Sequence, residues 1–393
     1  MRQIIYLLFL FCSFSIFAQD SWVQVDSMNG PGKSVTTSFV VADTAYVVGG
    51  TTEIEFTRKM YSFNYSQNDW DDELSWGGET GGGQNRGNAI SFVIENIAYV
   101  GLGQGNTVDF YNDMWKYDPA TATWTQMADF AGEARRAASA FSLDGFGYIG
   151  LGQSITGLKN DFWKLNPTTN TWVQIGDFDG QARKNAACIQ MGSQIFVGTG
   201  EGSVDLADFW EYQPWSDSWI ARPNLPGLGR SGAVGWGIYP QVFIALGEDA
   251  AGTLKKDVWE YNVFTNAWTQ RADFPGTPRK LATAFVVQNK AYVGTGYSLD
   301  GFKDDFYSYS KVAELNESLQ IECTIYPNPS ADFLHIESEA PIEFISIYQL
   351  NGKLVEQVPF SKSVSIQHLP NGNYFVEMTT INGQRVMNQF SKI

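Results

Sequence analysis

The sequence predicts an all-β chain: a six-bladed β-propeller closed by an N-terminal strand, followed by a small C-terminal β-sandwich. Three observations carry that prediction. A block of about 48 residues recurs along most of the chain, and self-similarity at such a period marks a repeat architecture. Each block holds a Trp followed eleven positions later by a cation: Trp22/Lys33, Trp124/Arg135, Trp172/Arg183, Trp219/Arg230 and Trp268/Arg279, with Trp70/Arg86 spread further apart by an insertion. The composition agrees, because 15% of the 393 residues are aromatic, 13 are Trp and 39 are Gly, while only 17% are charged. That balance suits many short strands joined by tight turns and argues against a helical or disordered chain.

Residues 1–18 read as a signal peptide. Arg2 supplies the positive end, residues 4–17 the apolar run, and Ala18 the small residue before a cut at Gln19. The run is too short to span a bilayer and none follows later, so no transmembrane segment is expected. Cys12 leaves with the leader; Cys188 and Cys323 fall in different domains, so no disulfide framework is expected.

Residues 19–311 divide into repeats of four strand-like runs. The first follows the cation and is built from small residues, as in Ala137-Ala138-Ser139-Ala140. The second ends in an aromatic and glycine, as in Tyr148-Ile149-Gly150. The third alternates around a large aromatic, as in Asp113-Met114-Trp115-Lys116-Tyr117, and the fourth opens with the Trp. Period-2 alternation and Pro/Asn/Asp turns mark these runs as strands. Sheets arranged radially crowd at the axis and spread at the rim, which explains small residues inside and bulky ones outside. Five repeats are complete. The sixth ends at Phe306-Tyr307-Ser308-Tyr309 without a fourth strand, and an orphan strand, Trp22-Val23-Gln24-Val25, stands at the other end of the chain. Pairing the two closes the ring and removes two exposed edges.

On the second-strand aromatic and glycine, the Asp-x-Trp-x-Tyr third strand and the downstream Trp, residues 20–311 resemble kelch repeats. The family's double glycine survives only at Gly49-Gly50; elsewhere it is Gly-x-Gly, as in Gly101-Leu102-Gly103. Residues 312–322 read as a linker. Residues 323–393 show alternating runs joined by Asn-Gly turns, Asn351-Gly352 and Asn382-Gly383, which predict a small sandwich. Tyr326-Pro327-Asn328-Pro329, Gly372-Asn373-Tyr374 and Phe390-Ser391-Lys392 make this segment similar to the C-terminal sorting domain of the type IX secretion system of Bacteroidetes. That resemblance implies export, the secretion machinery as a partner, and a secreted or cell-surface destination. A carbohydrate-binding sandwich is the alternative.

A net charge of −16 disfavours nucleic acid and anionic lipid as partners. Both histidines, His335 and His368, fall outside the propeller, and its only thiol, Cys188, lies inside a strand. Galactose oxidase is a kelch propeller that holds copper with His and Tyr; that constellation cannot be assembled here. No metal or cofactor is expected, since Glu201, Glu248 and Asp249 lack the dense oxygen spacing of a calcium loop.

The positive feature is a ring of cations at the start of each innermost strand: Lys33, Arg86, Arg135, Arg183, Arg230 and Arg279. Asp113, Asp161, Asp208, Asp257 and Asp305 start the third strands on the same face, with Lys59 breaking the series. Two readings stand side by side. The ring is a set of ion pairs stapling the blades, or it is an anion-accepting mouth for an acidic glycan or peptide. The insertion at residues 71–83 belongs to that face, where Trp76 either stacks on a sugar or tucks against a blade. The expected function is a non-catalytic binding module for a glycan or extracellular protein, with Arg86, Arg135, Arg183, Arg230, Arg279 and Trp76 as candidate ligand-binding residues. The alternative is a metal-independent carbohydrate-active enzyme, since six-bladed kelch propellers include sialic-acid mutarotases.

Overall fold

The computed structural model describes residues 20–78, 83–106, 110–214, 216–310, 323–338, 342–350, 352–380 and 385–393. The expected leader at 1–18 and linker at 312–322 lie outside the described residues. Six four-stranded antiparallel sheets follow one another. Blade 1 is typical, with strands Thr37–Val41, Thr44–Val48, Met60–Asn64 and Asp69–Glu73 in that order from hub to rim. Blade 6 takes three strands from the chain's later part, Thr283–Val287, Lys290–Gly294 and Phe306–Ser310, and its outer strand is Ser21–Val25. Trp22 pairs with Tyr309 and Val25 with Phe306, which is the closure the sequence predicts. The Trp22 ring is held by Phe274 and Tyr309 at 5.4 and 4.9 Å between centroids, and its Nε1 donates to Ala272 O of blade 5. One strand thus completes a sheet and seals a blade-to-blade seam.

The hub is a cycle of backbone hydrogen bonds. Val35, Asn88, Ala137, Asn185, Gly232 and Leu281, each two residues after a ring cation, all have φ between 51° and 62°. Each N–H donates to the carbonyl of its counterpart in the neighbouring blade: Val35 to Leu281, Asn88 to Val35, Ala137 to Asn88, Asn185 to Ala137, Gly232 to Asn185 and Leu281 to Gly232, at 2.8–3.2 Å. A left-handed backbone is unfavourable for Val and Leu, so the cycle is held by the packing of all six blades at once. Between blades the filling is aromatic and aliphatic. Phe39, Tyr46 and Met60 of blade 1, for example, pack on Val100, Trp115 and Tyr117 of blade 2.

The C-terminal domain has a three-stranded sheet (Cys323–Tyr326, Phe333–Ser338, Ser363–Ser365) and a four-stranded sheet (Leu354–Pro359, Ile342–Gln349, Gly372–Thr380, Arg385–Lys392). They share a core of Leu334, Ile336, Ile345, Ile347, Ile366, Val376, Met378 and Phe390. This domain docks on the propeller through turns that follow the first and third strands of blades 4 and 5. Arg385 N donates to Phe264 O at 2.9 Å, Leu354 N to Ser193 Oγ at 3.2 Å, and Tyr239 packs on Tyr348 and Phe375. Arg385 lies between Glu211 and Glu377, at 3.5 and 3.8 Å, beside a cavity of about 680 Å3. Burial raises the Glu377 carboxyl, with Glu211 adding and the Arg385 charge opposing. Every one of these turns is on the face opposite the ring cations.

Candidate functional site

The five ring arginines are at most 2% exposed. Each guanidinium grips the aspartate that starts the third strand of its own blade. Arg135 Nη1 and Nη2 donate to the two Asp161 carboxylate oxygens at 2.5 and 2.8 Å; Arg183 does the same with Asp208, Arg230 with Asp257 and Arg279 with Asp305. Arg86 forks onto Asp113 in the same way. A further bond runs from each Nη1 to the carbonyl sixteen residues on, Leu151 O for Arg135 at 3.0 Å. Trp115, Trp163, Trp210 and Trp259 complete the carboxylates with Nε1 bonds of 2.8 Å. Burial alone would raise the Asp161 carboxyl, but bonds from Arg135 and Trp163 and the guanidinium charge outweigh it and hold it below the usual carboxylate range; Asp257 behaves alike.

This geometry corrects the expectation that Arg86, Arg135, Arg183, Arg230 and Arg279 bind a ligand. Their forks are spent on the chain's own carboxylates, and no guanidinium reaches solvent. The residues recur because each blade has the same packing problem. Trp76 is corrected with them: it is 0% exposed, 6.2 Å from Trp124 and 4.4 Å beneath the Arg86 guanidinium. In blades 3, 4 and 6 that place under the cation is taken by Phe130, Phe178 and Phe274. The insertion displaces such a ring ahead of Arg86, and Trp76 supplies it.

A second ring, one residue further along, does vary. Ser34, Gly87, Arg136, Lys184, Ser231 and Lys280 immediately precede the hub residues. Each is bridged across the backbone to the residue after the second-strand glycines: Thr51, Gln104, Gln153, Glu201, Glu248 and Tyr297. Their side chains join across blades. Arg136 donates to Gln104 and, at 2.9 Å, to Gln153; Lys184 reaches Gln153 and Glu201, both at 3.2 Å; Lys280 meets Glu248 at 2.5 Å. Burial raises the nearby Asp205 carboxyl, with Glu201, Glu248 and Asp249 adding and a Ser231 bond opposing. In the sequence this mouth is marked by the break in the repeat straight after the cation, where Ser34, Gly87, Arg136, Lys184, Ser231 and Lys280 differ from blade to blade.

Around the mouth, loops between second and third strands project aliphatic tips: Ile54 at 92% exposure, Ile155 at 80%, Val204 at 62% and Leu299 at 92%. Carboxylates brace several of these loops. Glu133 accepts from Lys159, Thr156 and Ser154 at 2.6–2.8 Å, which holds its carboxyl down to about 2. Asp249 is held as low by Lys255 and the Thr253 and Ala251 amides.

The molecule is therefore a six-bladed propeller carried ahead of a second β domain, with a varied polar mouth on its free face. Residues 324–391 match the family model described as "Secretion system C-terminal sorting domain". This places the chain among proteins sent by the type IX system to the extracellular space or cell surface. The solved structure titled "Structure of YjhT" has the same propeller fold, with a TM-score of 0.61 at 16% identity over 72% of this chain and 95% of that one. No curated protein matches the sequence.

Proposed function

We propose that the propeller is a non-catalytic binding module that engages an extracellular protein through the mouth and tips of its free face. The observation that carries this reading is the set of exposed aliphatic tips, Ile54, Ile155, Val204 and Leu299. Exposed apolar residues rimmed by polar ones mark protein contacts, whereas a glycan would call for flat aromatic surfaces. Docking of the sorting domain on the opposite face supports it by keeping the mouth clear. The test is capture of extracellular proteins and an array of glycans by the wild type and by a variant with all four tips changed to Ser. Loss of a protein partner without a change in melting temperature is expected; equal capture by both would refute the assigned surface, and retention of glycans alone would move the reading to sugar.

A metal-independent carbohydrate-active enzyme is the second reading. It is favoured by Asp205, a carboxyl with raised proton affinity beside the mouth. Anomer exchange of sugar acids followed by NMR, wild type against Asp205→Asn, tests it.

A further inference from the structure

Blade 1 breaks the staple at all three of its positions. Lys33 stands where the other blades have Arg, Lys59 where they have Asp, and Tyr61 where four of them have Trp. The substitution leaves two donors stranded. Lys33 and Tyr61 are each 1% exposed, and among the described residues neither Lys33 Nζ nor the Tyr61 hydroxyl has a hydrogen-bond partner. Nζ lies 4.0 Å from the Tyr61 ring centroid, a contact that favours the cation without giving it an acceptor. A buried ammonium with no acceptor is costly, and the five other blades show what the place is shaped to hold. There, a carboxylate sits between buried donors on one side and solvent on the other, with the Asp side chains 18–25% exposed. In blade 1 the chain supplies no carboxylate at that register, and the exposed Lys59 offers a second cation at its edge. Asp72, on the fourth strand, is the acidic group that bears on Lys33, and it makes no hydrogen bond to it.

We propose that blade 1 holds a carboxylate-binding site, in which Lys33 from within and Lys59 from the rim clasp a carboxylate arriving from outside. The guest takes the place that Asp113, Asp161, Asp208, Asp257 and Asp305 occupy in their own blades. This site is separate from the aliphatic tips and stands without them. Burial, then Lys59, hold the Lys33 amine down to about 7, with Asp72 opposing. Binding above that pH therefore takes up a proton, and affinity falls about tenfold for each further pH unit.

The full chain, labelled with 13C-lysine, tests the proposal by NMR, with Lys33→Met assigning the Lys33 signal. Acetate, against chloride at equal ionic strength, is expected to shift that signal saturably and to raise its titration midpoint by a pH unit or more. Lys59→Asp restores the carboxylate of the other blades and is expected to raise the midpoint unaided and to abolish the acetate response. Equal responses to acetate and chloride, an acetate response that persists in Lys59→Asp, or a response to phosphate alone would each overturn it. Glucuronate and an N-acetyl-aspartyl amide serve as further probes, and a tighter response from one of them identifies a sugar or a protein source.

Discussion

Replacing Asp161 with Asn leaves the shape of the blade 3 staple intact and removes its negative charge. Arg135 is 0% exposed, so its guanidinium is left buried with two donors aimed at a neutral amide. Breaking a buried pair from one side costs about 3–5 kcal/mol. Arg135→Met should cost less, about 2 kcal/mol, because Asp161 keeps its Trp163 bond and a side chain 20% exposed through which water can solvate it. The double variant should fall short of the sum of the two, a coupling of about 2 kcal/mol that measures the pair itself. For a unit of this size about 2 °C is lost per kcal/mol, so calorimetry should find Asp161→Asn melting about 6–10 °C below wild type. The pH dependence has a definite sign. The Asp161 and Asp257 carboxyls are held below their unfolded values, so their stabilisation is complete above the ordinary carboxylate range and is lost as pH falls through the depressed values. Should Asp161→Asn, or Arg135→Glu, melt with the wild type, these arginines are not staples and the ligand-facing reading returns.

Three further outcomes follow from the same geometry. Lys33 is neutral in the fold and charged in the unfolded chain between about 7 and 10.5, so wild-type stability should rise across that window by up to about 5 kcal/mol, and denaturant titrations of Lys33→Met should show that rise abolished. Arg385→Ala leaves Glu377, 2% exposed, beside Glu211 without its nearest cation, Arg222 remaining paired to Glu211; amide exchange around Tyr239 and Phe264 should accelerate as the sorting domain undocks, and unchanged protection would show that Arg385 does not hold the domains together. Trp22→Ala removes the half-buried ring wedged between blades 5 and 6 and should cost about 2 kcal/mol by denaturant melting, more than an unpaired surface strand would.

The ring closure was legible because a missing strand and a spare one share a single register. The staples were legible as residues but not as roles: Arg135 and Asp161 fall on one face by strand alternation, yet spacing alone does not say whether the fork turns inward or outward. Trp76 misled for a physical reason. Insertions usually carry solvent-facing side chains, but this one also displaced the ring that belongs under Arg86, and filling that gap outweighed exposure. Arg136 and Lys184 are masked in the sequence because they follow the conspicuous cation and do not repeat. The hub was hidden because nothing in Val35 or Leu281 advertises a left-handed backbone. Docking of the sorting domain was hidden too, since it is assembled from single residues of distant strands and turns, such as Glu211, Tyr239 and Arg385.

The strand Ser21–Val25 also sets an order of events. Its partner in blade 6 is 285 positions away, as in the contact between Val23 and Ser308, so a strand made early is among the last to find its seat. Until Phe306–Ser310 arrives, the propeller is an open arc with a bare edge at each end, and such long-range pairing is slow. Anything fused ahead of Ser21 then hangs from the outer rim of blade 6 beside Ser310, on the face away from the cations, so a reporter attached there leaves the mouth unobstructed.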